Sequence, residues 1–242
     1  MIYMKKNIIA FIRIAKKEFQ EKIYKYGQFY MNTSEHFRAM AQNDNSGLVG
    51  DIHEGSFPRN YVINASGLEF RAFDDDDDDC QAMALDINTC IFCFYAITRD
   101  DCVKKNGAIY FTVPTDAIKG IVGDDDPNLY EIVLFSHPCK LLNMINETID
   151  TKTLIHRDGI VLYDDHYFHT DASLIITDIN SFGIELCFHK CKRFSNQNEY
   201  RIVIVNDSKN ARDDIIIGAL GASDYKTFIV PSIDNDVTIK IS

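Results

Sequence analysis

Lys192-Arg-Phe-Ser-Asn-Gln-Asn-Glu-Tyr-Arg-Ile-Val-Ile-Val205 joins a polar, turn-prone segment (Ser195 to Asn198) to a β-branched run from Tyr200 to Val205. The second half has the pattern of a buried strand, and the first half that of the loop feeding it. Glu199 sits at the join. A carboxylate there is held by a rigid element yet faces a loop, the setting in which sites are commonly built.

Strand patterns surround this one. Residues 7–14 alternate, with Ile8, Ala10, Ile12 and Ile14 on one face and Ile9, Phe11 and Arg13 on the other. Residues 15–26 change to helical spacing, with Ala15, Phe19, Ile23 and Tyr26 as the apolar stripe and Gly27 as the stop. A short strand over 29–31 leads through Asn32-Thr33-Ser34 into a helix over 35–41, where Asn32 and Glu35 have capping-box spacing. Residues 42–58 are loop-rich. The run 90–98 is apolar throughout, as a central strand is, and 108–113 is another strand, closed by Pro114 before a helical turn. Further strands are expected at 132–135, 159–163, 174–177, 184–189, 215–217, 228–230 and 237–241. Few early helices and many late strands define an α+β fold with a largely antiparallel sheet, in one domain over residues 1–242.

Hydrophobic residues make up 46% and charged residues 25% of the 242, enough for a substantial core, and 12 Tyr and 16 Phe without Trp suit a sheet. The net charge of −11 argues against non-specific tracking of a nucleic-acid backbone, although seven of the cations cluster between Lys5 and Lys25. Seven cysteines, an odd number with several in apolar runs, suit a reducing compartment, and no stretch approaches a membrane span; a soluble, cytoplasmic protein with no membrane partner is expected. The six aspartates 74–79 repel one another and are expected in a solvated loop.

Two metal sites are weighed and set aside. Cys90-x-x-Cys93 with Cys187 and Cys191 has zinc-like spacing, but Cys90 and Cys93 fall on opposite faces of one strand. Asp165, His169 and Asp171 would share a face of an extended segment as ligands of a metal-dependent nuclease, but the flanking strands favour a polar hairpin turn. No Gly-rich phosphate loop or nucleophile elbow is present. His53 and Glu54 form an isolated acid–imidazole pair within a loop.

Three pieces remain in chain order: Arg13 on a strand, Tyr30-Met-Asn-Thr-Ser34 at a strand end, and Gln197-Asn-Glu199 opening a late strand. Arg13 lies on an otherwise apolar face, where it needs an anionic partner or an outlet to solvent. This order resembles the arginine–serine–glutamate group of ADP-ribosyltransferases, bacterial toxins among them. Asn198-Glu-Tyr200 before Ile-Val-Ile is similar to the Asn-Glu-Tyr strand of poly(ADP-ribose) polymerases. The early aromatic-Met-Asn strand, the Gly50-Asp…Glu-Gly55 loop and the Glu-Tyr-Arg strand also resemble an uncharacterised bacterial domain family, a likeness that carries no chemistry.

The first resemblance implies a split β-sheet and NAD as co-substrate. It implies Glu199 as the carboxylate that stabilises positive charge on ribose, with Gln197 facing the acceptor. It implies Arg13 on phosphate, Asn32, Thr33 and Ser34 at the nicotinamide-ribose end with Ser34 or Thr33 orienting Glu199, and Phe37 stacked on nicotinamide. The acceptor would be a macromolecule, protein or nucleic acid, and the chain a toxin or phage-defence effector with a neutralising antitoxin protein. The alternatives are a non-catalytic interaction protein of the same fold, in which Arg201 merely pairs with Glu199 as a surface ion pair, and the metal-dependent nuclease.

Overall fold

The computed structural model describes residues 7–43, 54–57, 61–65, 68–72, 83–84, 88–152, 154–163, 168–171, 178–190, 192–205, 213–230 and 232–241. In chain order the elements are β1 (Ile8–Lys16), α1 (Lys17–Tyr26), β2 (Gln28–Thr33), α2 (Ser34–Asn43), β3 (Ser56–Phe57), β4 (Tyr61–Ala65), β5 (Leu68–Ala72) and β6 (Met83–Ala84). They continue with β7 (Thr89–Thr98), β8 (Val103–Lys105), β9 (Ala108–Val113), α3 (Thr115–Val122), β10 (Tyr130–Phe135), α4 (Pro138–Thr151), β11 (His156–Ile160), β12 (Leu162–Tyr163) and β13 (Phe168–Asp171). The last are α5 (Ile179–Leu186), β14 (His189–Lys190), β15 (Glu199–Val205), β16 (Asp213–Ile216), β17 (Tyr225–Ile229) and β18 (Val237–Lys240), with a 3-10 turn over Lys192–Gln197 before β15.

An eight-stranded sheet forms the centre, running β11-β15-β7-β1-β10-β17 with β2 and β16 off that path. Its strand pairs are all antiparallel; parallel pairing occurs only in the small β12–β14 and β13–β4 ladders among the described strands. The fold is therefore α+β with antiparallel sheets dominant. Among the described residues no helix is long and apolar enough to cross a membrane.

The apolar run read as a central strand is one, because both its faces are buried. One face packs Phe92 and Phe94 with Phe11, Phe29 and Tyr200 against Leu141, Leu142, Ile145 and Ile149 of α4. The other face carries two separate clusters. Ile12, Ile14 and Ile97 pack under α3 and β9, while Ile91, Val203 and Val205 pack under α5. Alternation in β1 follows the expected faces except at its start, where a bulge between Ile8 and Ala10 inserts one residue and exchanges the sides of Ile8 and Ile9.

Three helix expectations need correction. In α1 the buried residues are Gln20 and Ile23, not the stripe through Phe19 and Tyr26, which are 46% and 63% exposed. The cause is Gln20, whose amide donates to the Arg13 carbonyl at 2.8 Å and turns that face inward. The segment expected as a strand over 184–189 is half helix, the end of α5, followed by a turn into β14; α5 is capped by Asp178, whose carboxylate accepts from Ser181 N–H at 3.0 Å. Finally, helices are not confined to the N-terminal part: α4, with Pro138 at its first turn, is the longest described. The expected strand at 174–177 lies outside the described residues.

Gly27 ends α1 in the left-handed conformation (φ 63°), donating to Ile23 O at 2.7 Å. A Cβ there would stand 1.8 Å from the carbonyl oxygen of Gly218. Gly27→Ala is therefore expected to cost about 2–4 kcal/mol, through strained φ and a backbone collision, measured as a lower urea midpoint at unchanged slope.

Candidate functional site

β15 pairs with β7 along one edge, from Thr89 to Tyr95. The opposite edge of β7 is shared: β1 pairs with its end from Tyr95 to Thr98, β2 pairs with Cys90 and Ile91, and Phe92, Cys93 and Phe94 lie between the two branches. The sheet forks there. Ala96 N–H donates toward β15, to Asn198 O at 2.9 Å, so strand alternation turns the backbone N–H and C=O of Cys93 into the fork. Over the fork lies a cavity of about 510 Å³, walled by the three strands, by Asp116, Ala117, Gly120 and Ile121 of α3, and by Phe194, Asn196 and Gln197 of the 3-10 turn. Its volume is in the range of small-molecule sites. It occupies the interval between the α3 and α5 clusters on that sheet face.

Glu199, buried at 9% exposure, lines this cavity. Its Oε1 accepts from Lys190 Nζ and its Oε2 from Arg201 Nε, both at 2.6 Å. Arg201, 1% exposed, turns its other nitrogens to Glu54: Nη1 to Oε1 at 2.5 Å and Nη2 to Oε2 at 2.8 Å. Arg201 Nη1 also donates to the Cys187 carbonyl. Two carboxylates and two cations thus form a buried, internally neutral cluster. Burial alone would push the Glu199 carboxyl up; the charges of Arg201 and Lys190 outweigh it and hold it at about 2. Burial pushes Glu54 up despite Arg201 and Lys190. Arg201 and Lys190, which burial would lower, are raised by the carboxylates and stay charged.

Glu54 reaches the cluster because the chain at Gly55 adopts φ 63° and lies so close to α2 that a Cβ would approach Ser34 Cβ at 3.1 Å and Cys187 Sγ at 3.2 Å. Arg38 of α2 donates to the Glu54 carbonyl at 2.6 Å and fixes the same segment.

Arg13 reaches the cavity from the opposite branch. Its guanidinium lies 4.3 Å over the Phe92 ring, its Nε is buried without a hydrogen-bond partner, and among the described residues no carboxylate pairs with it. Burial lowers it to about 10, so it remains a cation at neutral pH. Cys93 beside it lines the cavity as a neutral thiol, pushed up to about 12 by burial and by Glu199.

Of the seven residues expected at a site, Arg13, Asn32, Phe37, Gln197 and Glu199 line this one cavity. Thr33 and Ser34 do not line it. Thr33 Oγ1 accepts from His36 N–H at 3.1 Å and so caps α2, a role the sequence pattern suggested for Asn32. Ser34, 4% exposed, accepts from Thr89 Oγ1 at 2.9 Å, below the cavity wall. Orientation of Glu199 falls to Lys190 and Arg201 instead. Arg201 does pair with Glu199, but buried rather than on the surface. Lys190 carries no motif, and Glu54 lies only in an isolated acid–imidazole pair and in the Gly50-Asp…Glu-Gly55 loop, a likeness without chemistry.

Cys90 and Cys93 occupy opposite faces of β7, in different clusters, and no group of three metal-ligating side chains occurs among the described residues. Cys191, His53, Asp165 and the aspartates 74–79 lie outside the described residues, as do the side chains of His169 and Asp171. Comparison with protein-family models, with curated proteins and with solved structures gives no match.

Proposed function

We propose that this protein is an NAD-dependent ADP-ribosyltransferase acting on a macromolecule in the cytoplasm. One observation carries the reading: Arg13, Asn32 with Phe37, and Gln197 with Glu199, from three distant segments, line a single cavity over a forked sheet. The residues suit the dinucleotide. An unpaired guanidinium stacked on Phe92 is a ready partner for phosphate, and Phe37 offers a ring face to nicotinamide. NAD supplies the ADP-ribosyl group when bound. Glu199, fixed as a carboxylate, stabilises positive charge developing at the reacting sugar carbon, and Gln197 faces the acceptor beside it. As a toxin or defence effector the enzyme would require a neutralising partner protein.

A second reading draws on the pairing of both Glu199 oxygens: a binding protein that holds a ligand in the cavity without turning it over. Incubation with NAD labelled in the adenylate moiety, alone and with cell extract, separates them. Nicotinamide release with label transfer is expected; binding without release would favour the second reading. Arg13→Gln is expected to raise KM for NAD about 10- to 100-fold with a smaller change in kcat, because it removes a charged contact made before and during reaction.

A further inference from the structure

Gln197 and Glu199 belong to different elements, the 3-10 turn and β15. Asn198 between them has φ 41°, a left-handed conformation, and its Nδ2 donates to Ala96 O at 2.6 Å. The backbone is thus pinned at the join, but the two side chains need a common anchor to keep a fixed separation. Lys190 supplies it. Its Nζ donates to Gln197 Oε1 at 2.8 Å and to Glu199 Oε1 at 2.6 Å, lies 3.9 Å from Glu54 Oε2, and stands 5.0 Å over the Phe194 ring. An ammonium only donates, so it fixes which atom of the Gln197 amide faces it.

We propose that Lys190 is a positioning residue of the transferase site, tying Gln197 and Glu199 into one unit and, with Arg201 on the other oxygen, setting the plane of the Glu199 carboxylate at the cavity wall. This rests on the reading of the cavity as an ADP-ribosyltransferase site. Lys190 is not among the residues that line the cavity; it acts through the two side chains it bridges. Arg201 cannot replace it, because its remaining nitrogens are committed to Glu54 and Cys187.

The test is steady-state NAD turnover by wild type, Lys190→Ala and Phe194→Leu, each confirmed folded by near-UV circular dichroism. Lys190→Ala is expected to lower kcat about 10- to 100-fold, with KM for NAD within about threefold, since misplacing a reacting group acts on the transition state. Added ethylammonium should restore kcat at least about fivefold, whereas tetramethylammonium, which has the charge but no N–H donor, should not. Phe194→Leu, which keeps the charge but removes the ring beneath it, should lower kcat several-fold at unchanged KM, and it decides the matter if Lys190→Ala does not fold. An active wild type with Lys190→Ala within twofold of it, or with the loss confined to KM, or rescued equally by both cations, would overturn the role of Lys190 alone. Phe194→Leu with wild-type kcat, where Lys190→Ala does not fold, would do the same. An inactive wild type would overturn the transferase reading and the positioning role with it.

Discussion

Arg201→Met is expected to destabilise the protein by about 3–5 kcal/mol, lowering the melting temperature by about 10 °C in a chain of this size. Arg201 is 1% exposed and holds Glu54, itself 2% exposed, through two nitrogens and Glu199 through a third. Without it two buried carboxylates share Lys190, which lies 2.6 Å from Glu199 but 3.9 Å from Glu54. The Cys187 carbonyl loses its donor as well. The cost comes from stranding a buried charge rather than from losing the attraction of the pair. Removing Glu54 at the same time should therefore recover part of it: Glu54→Met/Arg201→Met is expected to be more stable than Arg201→Met. Urea unfolding of the two variants measures this, and a loss below about 1 kcal/mol for Arg201→Met would mean that the cluster behaves as an exposed pair.

On the proposed transferase reading, Glu199→Gln is expected to lower kcat for NAD cleavage about 10³-fold while the dissociation constant for NAD changes by less than about threefold. The amide keeps the shape and one acceptor but removes the charge that stabilises the developing cation. Glutamine is the informative substitution, since alanine would also remove the side-chain acceptor that Lys190 and Arg201 share. The pH dependence gives an independent check. Glu199 is depressed to about 2, so it is ionised at every pH above that and loses function only as pH falls through it. Wild-type kcat should accordingly show no acid limb near the ordinary glutamate value of about 4.3. The stability that Glu199 contributes follows the same sign, fully present above its unfolded value and lost as pH falls toward about 2. A limb at milder acidity would not belong to Glu199; burial pushes both Glu54 and Glu131 up.

The sheet was legible because an apolar, β-branched run is a local property: β7, β9 and β15 fall where theirs do. Helix faces were less so. A stripe through Phe19 and Tyr26 looks apolar in sequence, but the hydrogen bond from Gln20 to the preceding strand decides which side of α1 is buried, and that bond is tertiary. In α5, Ile184 and Leu186 alternate like a strand, and the Asp178 cap outweighs that pattern. The cavity-lining residues could be found from strand ends and residue order. Their electrostatics could not. Glu54 is separated from Arg201 by 147 positions, and Lys190 comes from a two-residue strand with no pattern of its own.

The fork in β7 has a consequence for synthesis. Its branches lie near the N-terminus, its stem in the middle of the chain, and the turn that closes the cavity at residues 192–197. A chain emerging from the ribosome in order carries Arg13 and Phe37 long before Glu199 exists to join them. Every truncated product that stops short of β15 lacks both the central strand pairing and the carboxylate. Incomplete translation therefore yields fragments without the assembled cavity.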